Sequence, residues 1–208
     1  MNSRNATVWC LAIALVLLLG IHPVLPGWAV NMIAMSLSNG LAVLGLMVIM
    51  RAGLVSFGHG LYFGLGGYGA ALGSVFLGIS DAFVLVLLGI VAAGLVASVL
   101  GFMMARYRGI FFALLNLAFS MLLFGVLVNS AVLGSTDGFS VTVPSYFGYV
   151  PSSAGSRVTF ILYGMICVLA CGSALLVNRY LKSTMGYIGE AIRENEVRVG
   201  YLGASVKH

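Results

Sequence analysis

AFVLVLLGIVAAGLVASVLGFMMA, residues 82 to 105, contains no charged side chain and exceeds the roughly 20 helical residues that cross a hydrocarbon core. The rest of the chain has the same character. Of its 208 residues, 61% are hydrophobic and 7% charged, and the mean hydropathy is +1.11. Soluble domains carry about 25% charged residues, so a water-solvated globule is excluded and lipid is the solvent. Five more stretches are long enough to span: Val8 to Leu25, Val30 to Met50, Val55 to Ile79, Ile110 to Leu133 and Val158 to Val177. The expected fold class is all-α, a polytopic helical membrane protein with six transmembrane helices.

The basic residues set the orientation. With the N-terminus in the cytoplasm, Arg4, Arg51, Arg106, Arg108, Arg179, Lys182, Arg193, Arg198 and Lys207 lie inside and Arg157 alone lies outside, as the positive-inside rule requires. The net charge of +5 is thus spread along membrane margins, and no nucleic-acid partner is expected. Arg4 followed by an apolar run resembles the start of a signal peptide. No clean small-x-small cleavage site follows, so the run is read as a retained span.

The segment after the sixth span is different. In STMGYIGEAIRENEVRVGYLGASVKH, residues 183 to 208, the residues Ile188, Ala191, Ile192, Val199 and Leu202 fall on one stripe of a helix. Glu190 with Arg193 and Glu194 with Arg198 are acid-first pairs at supportive spacing, and Gly200 and Gly203 are plausible stops. A short amphipathic helix with charges of both signs suits a soluble protein partner better than an anionic lipid surface. The chain is therefore divided into a membrane part, 1–182, and a cytoplasmic segment, 183–208.

The third span is rich in glycine: LVSFGHGLYFGLGGYGAAL from Leu54. Each helical glycine costs roughly 1 kcal/mol relative to alanine. Small residues let helix backbones approach closely, with Gly60 and Gly64 forming a small-xxx-small face, or let a span break beside a substrate cavity. GLGGYG is a literal GxGxxG, but without a preceding strand or an acid about 20 residues on it is not a dinucleotide site. His59 sits about one turn into this span, where a hydrogen bond to a neighbouring helix is the favoured role. Arg51 is expected to snorkel to the interface. Asn31, Asn39, Asn116 and Asn129 either contact a solute or tie helices together, and the sequence does not choose. Cys10, Cys167 and Cys171 are packing residues; no metal or other cofactor is expected.

No carboxylate falls within a span, no HExxH or GxSxG occurs, and no Walker loop is present. An ion-driven carrier usually needs intramembrane acids, so energy is expected from a partner.

Four segments together resemble a known family: LVSFGHGLYFGLGGYGAAL from Leu54, RYRGIFFALLNLAFSMLLFG from Arg106, GSTDGF from Gly134, and the tail from Ser183. They are similar to the permease subunits of branched-chain amino acid ABC transporters, of the M-subunit type of the leucine/isoleucine/valine system, over roughly residues 31 to 208. The resemblance implies a subunit of an importer in the bacterial inner membrane. It implies as partners cytoplasmic ATP-binding-cassette ATPases, a second related permease subunit and a periplasmic substrate-binding protein, besides membrane lipid. The tail would be the cytoplasmic coupling helix, with Gly186, Glu190, Ala191, Ile192, Arg193, Glu194, Asn195 and Gly203 contacting the ATPase. The translocation path is expected at Ser56, His59, Gly64, Gly66 and Asn116, on the third and fifth spans. Arg51, Gly67 and Asn116 depart from the usual pattern, which keeps urea and short-chain amides open as substrates. Family members continue with further spans, so a C-terminally truncated permease is expected. The competing class is an ion-coupled secondary transporter or channel.

Overall fold

The computed structural model describes residues 3–107, 109–130, 133–135, 138, 140–141, 144–146 and 156–201. They form α1 (Ser3–Ile21), a short 3-10 turn (His22–Val24), α2 (Gly27–Arg51), α3 (His59–Leu77), α4 (Ala82–Met104), α5 (Ile110–Asn129), α6 (Ser156–Leu181) and α7 (Thr184–Tyr201). Among the described residues, six helices are long and apolar enough to cross a membrane, α1 through α6. The protein is a polytopic helical membrane protein.

Local chemistry sets the helix ends. Pro23 lies at the start of the 3-10 turn that follows α1, and Pro26, in an extended conformation, is the N-cap of α2. Asp81 caps α4, its Oδ1 accepting from the Phe83 amide at 3.3 Å. Gly78 closes α3 in the left-handed conformation, φ +65°, which glycine adopts without a Cβ penalty. Several expected boundaries move: α1 is Ser3–Ile21 rather than Val8 to Leu25, and α6 runs on to Leu181 rather than Val177. The third span starts at His59, because Leu54 to Gly58 is not helical, and α5 stops at Asn129 rather than Leu133.

The chain divides into two compact units, one built on α1, α2, α6 and α7 and the other on α3, α4 and α5. In the first, Val30, Tyr163 and Cys167 form a buried cluster lined by Leu15, Leu18, Leu19 and Ile33. The Tyr163 hydroxyl donates to the Leu18 carbonyl at 3.2 Å, which satisfies a polar tip in an apolar setting. Cys167 is wholly buried there.

In the second unit, Leu61, Leu100 and Met104 form the core, with Leu65, Phe112 and Phe119 packed on them. The α3–α4 seam is built of small residues. A Cβ on Gly89 would lie 2.6 Å from the Gly66 carbonyl, one on Gly69 would lie 2.7 Å from the Ala92 Cβ, and one on Gly73 would lie 2.7 Å from Leu88. Close backbone approach is thus what these glycines supply. The seam is not at Gly60 and Gly64 as their spacing predicts, since a Cβ on either meets nothing within 4 Å. Beyond the seam, Ser145 clips onto the α3–α4 turn: its amide donates to the Ser80 carbonyl at 2.6 Å and its carbonyl accepts from the Ala82 amide at 2.9 Å.

Large apolar side chains such as Trp9, Val16, Trp28, Met35, Leu87, Phe102, Phe124 and Leu176 are exposed on the helix surfaces. For a chain solvated by lipid this carries no penalty.

Candidate functional site

Each unit gathers part of the predicted set. In the second unit, the non-helical stretch Leu54 to Gly58 lies against α5. Ser56 is 6% exposed and Asn116 1%, and the Asn116 Nδ2 donates to the Ser56 Oγ. Gly58 makes this approach possible: a Cβ there would sit 2.1 Å from the Asn116 carbonyl oxygen and 2.9 Å from its Oδ1. The Asn116 Oδ1 itself is buried with no hydrogen-bond partner among the described residues.

The other predicted path residues take different places. His59 is the first residue of α3 rather than one turn inside a helix, and its ring meets the Tyr62 ring edge-on, centroids 5.9 Å apart. Gly66 belongs to the α3–α4 seam. Gly64 lines an open groove of about 350 Å³ with Phe63, Gly67, Tyr68, Ala71 and Gly138. Gly138 comes from the GSTDGF segment, whose turn needs its glycines: Gly134 (φ +83°) and Gly138 (φ +67°) are left-handed, and a Cβ on Gly134 would lie 2.6 Å from the Gly138 carbonyl carbon. Asp137 of that segment lies outside the described residues.

In the first unit, α6 turns sharply into α7. Ser183 is the cap, its Oγ accepting from the Gly186 amide at 3.4 Å and donating to the Tyr180 carbonyl at 2.6 Å. Gly186 is buried in the turn, where a Cβ would stand 2.6 Å from the Leu181 carbonyl and 2.7 Å from that of Tyr180. One turn on, Glu190 reaches α2, its Oε2 3.4 Å from the Arg51 Nη2. Spacing predicts Arg193 as the partner of Glu190, and Arg51 is expected to snorkel to the interface. The fold instead joins Arg51 and Glu190 in a cross-helix pair.

Beyond Glu190, α7 shows Ala191, Arg193, Glu194 and Asn195 exposed and Ile192 half-buried. The single stripe expected from Ile188 to Leu202 is interrupted, because Asn195 has non-helical backbone angles (φ −160°, ψ +99°). Gly203 and Leu202 lie outside the described residues, as does the Arg198 side chain.

Gly58 and the Arg51–Glu190 pair are the residues that sequence reasoning missed. A glycine flanked by Phe57 and His59, directly before a long helix, was the available signal for Gly58; the pair had none. Among the described residues, no group of three metal-ligating side chains occurs. A larger groove of about 850 Å³ in the first unit, lined by Leu19, His22, Leu25 and Phe160 among others, contains none of the predicted residues.

A family model described as the branched-chain amino acid transport system permease component matches residues 28–208. The chain is similar to the high-affinity branched-chain amino acid transport system permease protein LivM of Salmonella typhimurium, 30% identical over 184 residues, or 78% of this chain and 43% of that relative. LivM of Escherichia coli K12 is 30% identical over 187 residues with the same coverage. The chain therefore spans less than half the length of these relatives. No solved structure matches it.

Proposed function

The chain belongs to the branched-chain amino acid transport permease family, and from this membership we propose that it acts as a membrane subunit of an ATP-binding-cassette importer for branched-chain amino acids. It is a non-catalytic part. A separate pair of ATPases hydrolyses ATP, a second related permease completes the path, and a periplasmic binding protein delivers the solute. The membrane is the bacterial inner membrane, with the N-terminus and α7 on the cytoplasmic side, as the distribution of basic residues supports. Residues 1–182 form the membrane part and 183–208 the coupling segment.

The observation that carries this reading is the attachment of α7. It is joined to α6 through the Ser183 cap and the close turn at Gly186, and to α2 through Arg51 and Glu190. Its outer face, with Ala191, Arg193, Glu194 and Asn195, stays exposed for a partner. A short helix held by two spans passes a displacement at its exposed face into both of them. ATPase closure would then move the spans and alternate the access of the solute path, which the reading places at Ser56, His59, Gly64, Gly66 and Asn116.

Co-purification with the cognate ATPase subunits tests it. The expected result is capture by the wild-type chain and its loss in Arg193→Glu/Glu194→Arg, with ATP-dependent L-leucine uptake in the reconstituted assembly. A folded chain that captures no ATPase and takes up solute along an ion gradient would overturn the importer in favour of a secondary transporter.

A further inference from the structure

We propose that the start of α3 and the buried amide of Asn116 form a head-group site for a zwitterionic α-amino acid, the helix start receiving the carboxylate and Asn116 Oδ1 the ammonium group. The inference rests on the permease reading above and specifies where the solute is recognised.

Three observations meet within one patch of the second unit. The first is the break. The apolar stretch that begins at Val55 becomes helical only at His59, and the N-cap is Gly58, which has no side chain to offer the helix. A helix start carries partial positive charge and amides directed outward, and in a membrane such a terminus suits a carboxylate. The second is the amide. Asn116 is 1% exposed, its Nδ2 is engaged by Ser56, and its Oδ1 has no partner among the described residues. A buried acceptor is costly to leave unmade, so an oxygen kept in that state calls for a donor that arrives from elsewhere. The third is proximity. The Oδ1 lies 2.9 Å from where a Gly58 Cβ would be, so it is directed at the N-cap of α3 itself.

Charge narrows the ligand. No Asp, Glu, Lys or Arg lies between Val55 and Ile79 or between Ile110 and Asn129. Of Asp, Glu, Lys, Arg and His, only His59 lies on these segments, so a net cation would find no counter-charge there and a net anion only an imidazole at the helix start. A zwitterion needs no counter-charge, because its two charges are adjacent and each is met by a dipole: the helix start on one side, a carbonyl oxygen on the other. A purely structural tie between Leu54–Gly58 and α5 would need only the Ser56–Asn116 hydrogen bond and would leave nothing for the Oδ1 to do. In this structure Gly58 rests on the Asn116 backbone, so the proposed site requires α5 and the 54–58 stretch to separate before the head group enters.

The test is direct binding to the full chain in lipid nanodiscs, by equilibrium dialysis of three labelled probes with one side chain in common. They are L-leucine, 4-methylpentanoate, which lacks the ammonium, and 3-methylbutylamine, which lacks the carboxylate. Wild type should prefer L-leucine over either analogue by about tenfold or more, as charge-assisted hydrogen bonds imply. Asn116→Leu should remove the preference over 4-methylpentanoate while leaving 4-methylpentanoate binding unchanged. Asn116→Asp keeps an acceptor oxygen and adds charge, and should raise 3-methylbutylamine binding about tenfold, so it decides the matter alone if Asn116→Leu does not fold. Equal binding of all three probes, no binding of any, equal loss of all in Asn116→Leu, or no response to Asn116→Asp would overturn the site. ATP-driven uptake with insensitive Asn116 variants would remove this site and keep the importer. The expected pattern in a chain that no ATPase drives would keep the site and remove the importer.

Discussion

Arg51, the last residue of α2, and Glu190, near the start of α7, face one another across 139 residues of sequence with 3.4 Å between Nη2 and Oε2. Their side chains are 38% and 47% exposed. An ion pair this accessible is worth at most about 1 kcal/mol, so its value lies in where it fastens α7 rather than in how strongly.

That distinction gives the first prediction. Arg51→Gln and Glu190→Gln should each change thermal stability by less than about 1 kcal/mol yet reduce ATP-coupled uptake. The exchanged pair Arg51→Glu/Glu190→Arg should recover uptake that either single reversal loses. A double-mutant cycle on uptake and on melting temperature, run in parallel, reads both quantities.

Gly186→Ala should act oppositely, through stability. The new methyl would enter the turn at 2.6 and 2.7 Å from two carbonyl oxygens, and overpacking of this kind costs about 1–3 kcal/mol. Proteolytic cleavage between α6 and α7 should accelerate before the spans themselves unfold.

Two glycines of α4 form an internal control. Gly89→Ala drives a Cβ to 2.6 Å from the Gly66 carbonyl and should destabilise the α3–α4 pair by about 1–3 kcal/mol. Gly94→Ala meets nothing within 4 Å and should be neutral or stabilising by up to about 1 kcal/mol through helix propensity. Thermal melts of the two variants in the same detergent should move in different directions or by clearly different amounts.

Tyr146, beside the Ser145 clip and outside the spans, is 6% exposed, and its hydroxyl has no partner among the described residues. Burial disfavours the phenolate and pushes its pKa above the usual 10.0. The folded state therefore holds this proton more tightly than the unfolded chain does. The corresponding stability is complete below pH 10 and is lost as the pH climbs through the raised value. Wild type should lose stability above pH 10 in alkaline melts, and Tyr146→Phe should lose less and be no less stable at neutral pH.

The membrane fold was legible because lipid imposes a long apolar period on each span. Ala82 and Ile110 begin their helices where hydropathy alone places them. Hydropathy misplaced the start of the third span, since Val55 and Phe57 are apolar enough for a helix but the chain there is not helical and packs on Asn116, which bonds Ser56 from 60 positions away and lies against Gly58. The glycines announced close packing without saying which face would use it. Gly60 and Gly64 have the spacing, but α4 presents Gly89 and Ala92 to Gly66 and Gly69, and only the partner helix decides that. The amphipathic tail gave Glu190 a neighbour on its own helix, whereas a tertiary contact supplied one from α2.

The angles at Asn195 have a mechanical meaning. A continuous helix behaves as a stiff rod, but an extended residue inserted in it is a joint, and Asn195 places one between Glu194 and the buried Val199. Thrust applied before the joint, at Ala191 or Arg193, would travel into the stretch anchored by Gly186 and Glu190. If a partner pushes on α7 as proposed, force applied after Asn195 would reach Gly186 and Glu190 only by way of that break, and contact on the near side is the direct route.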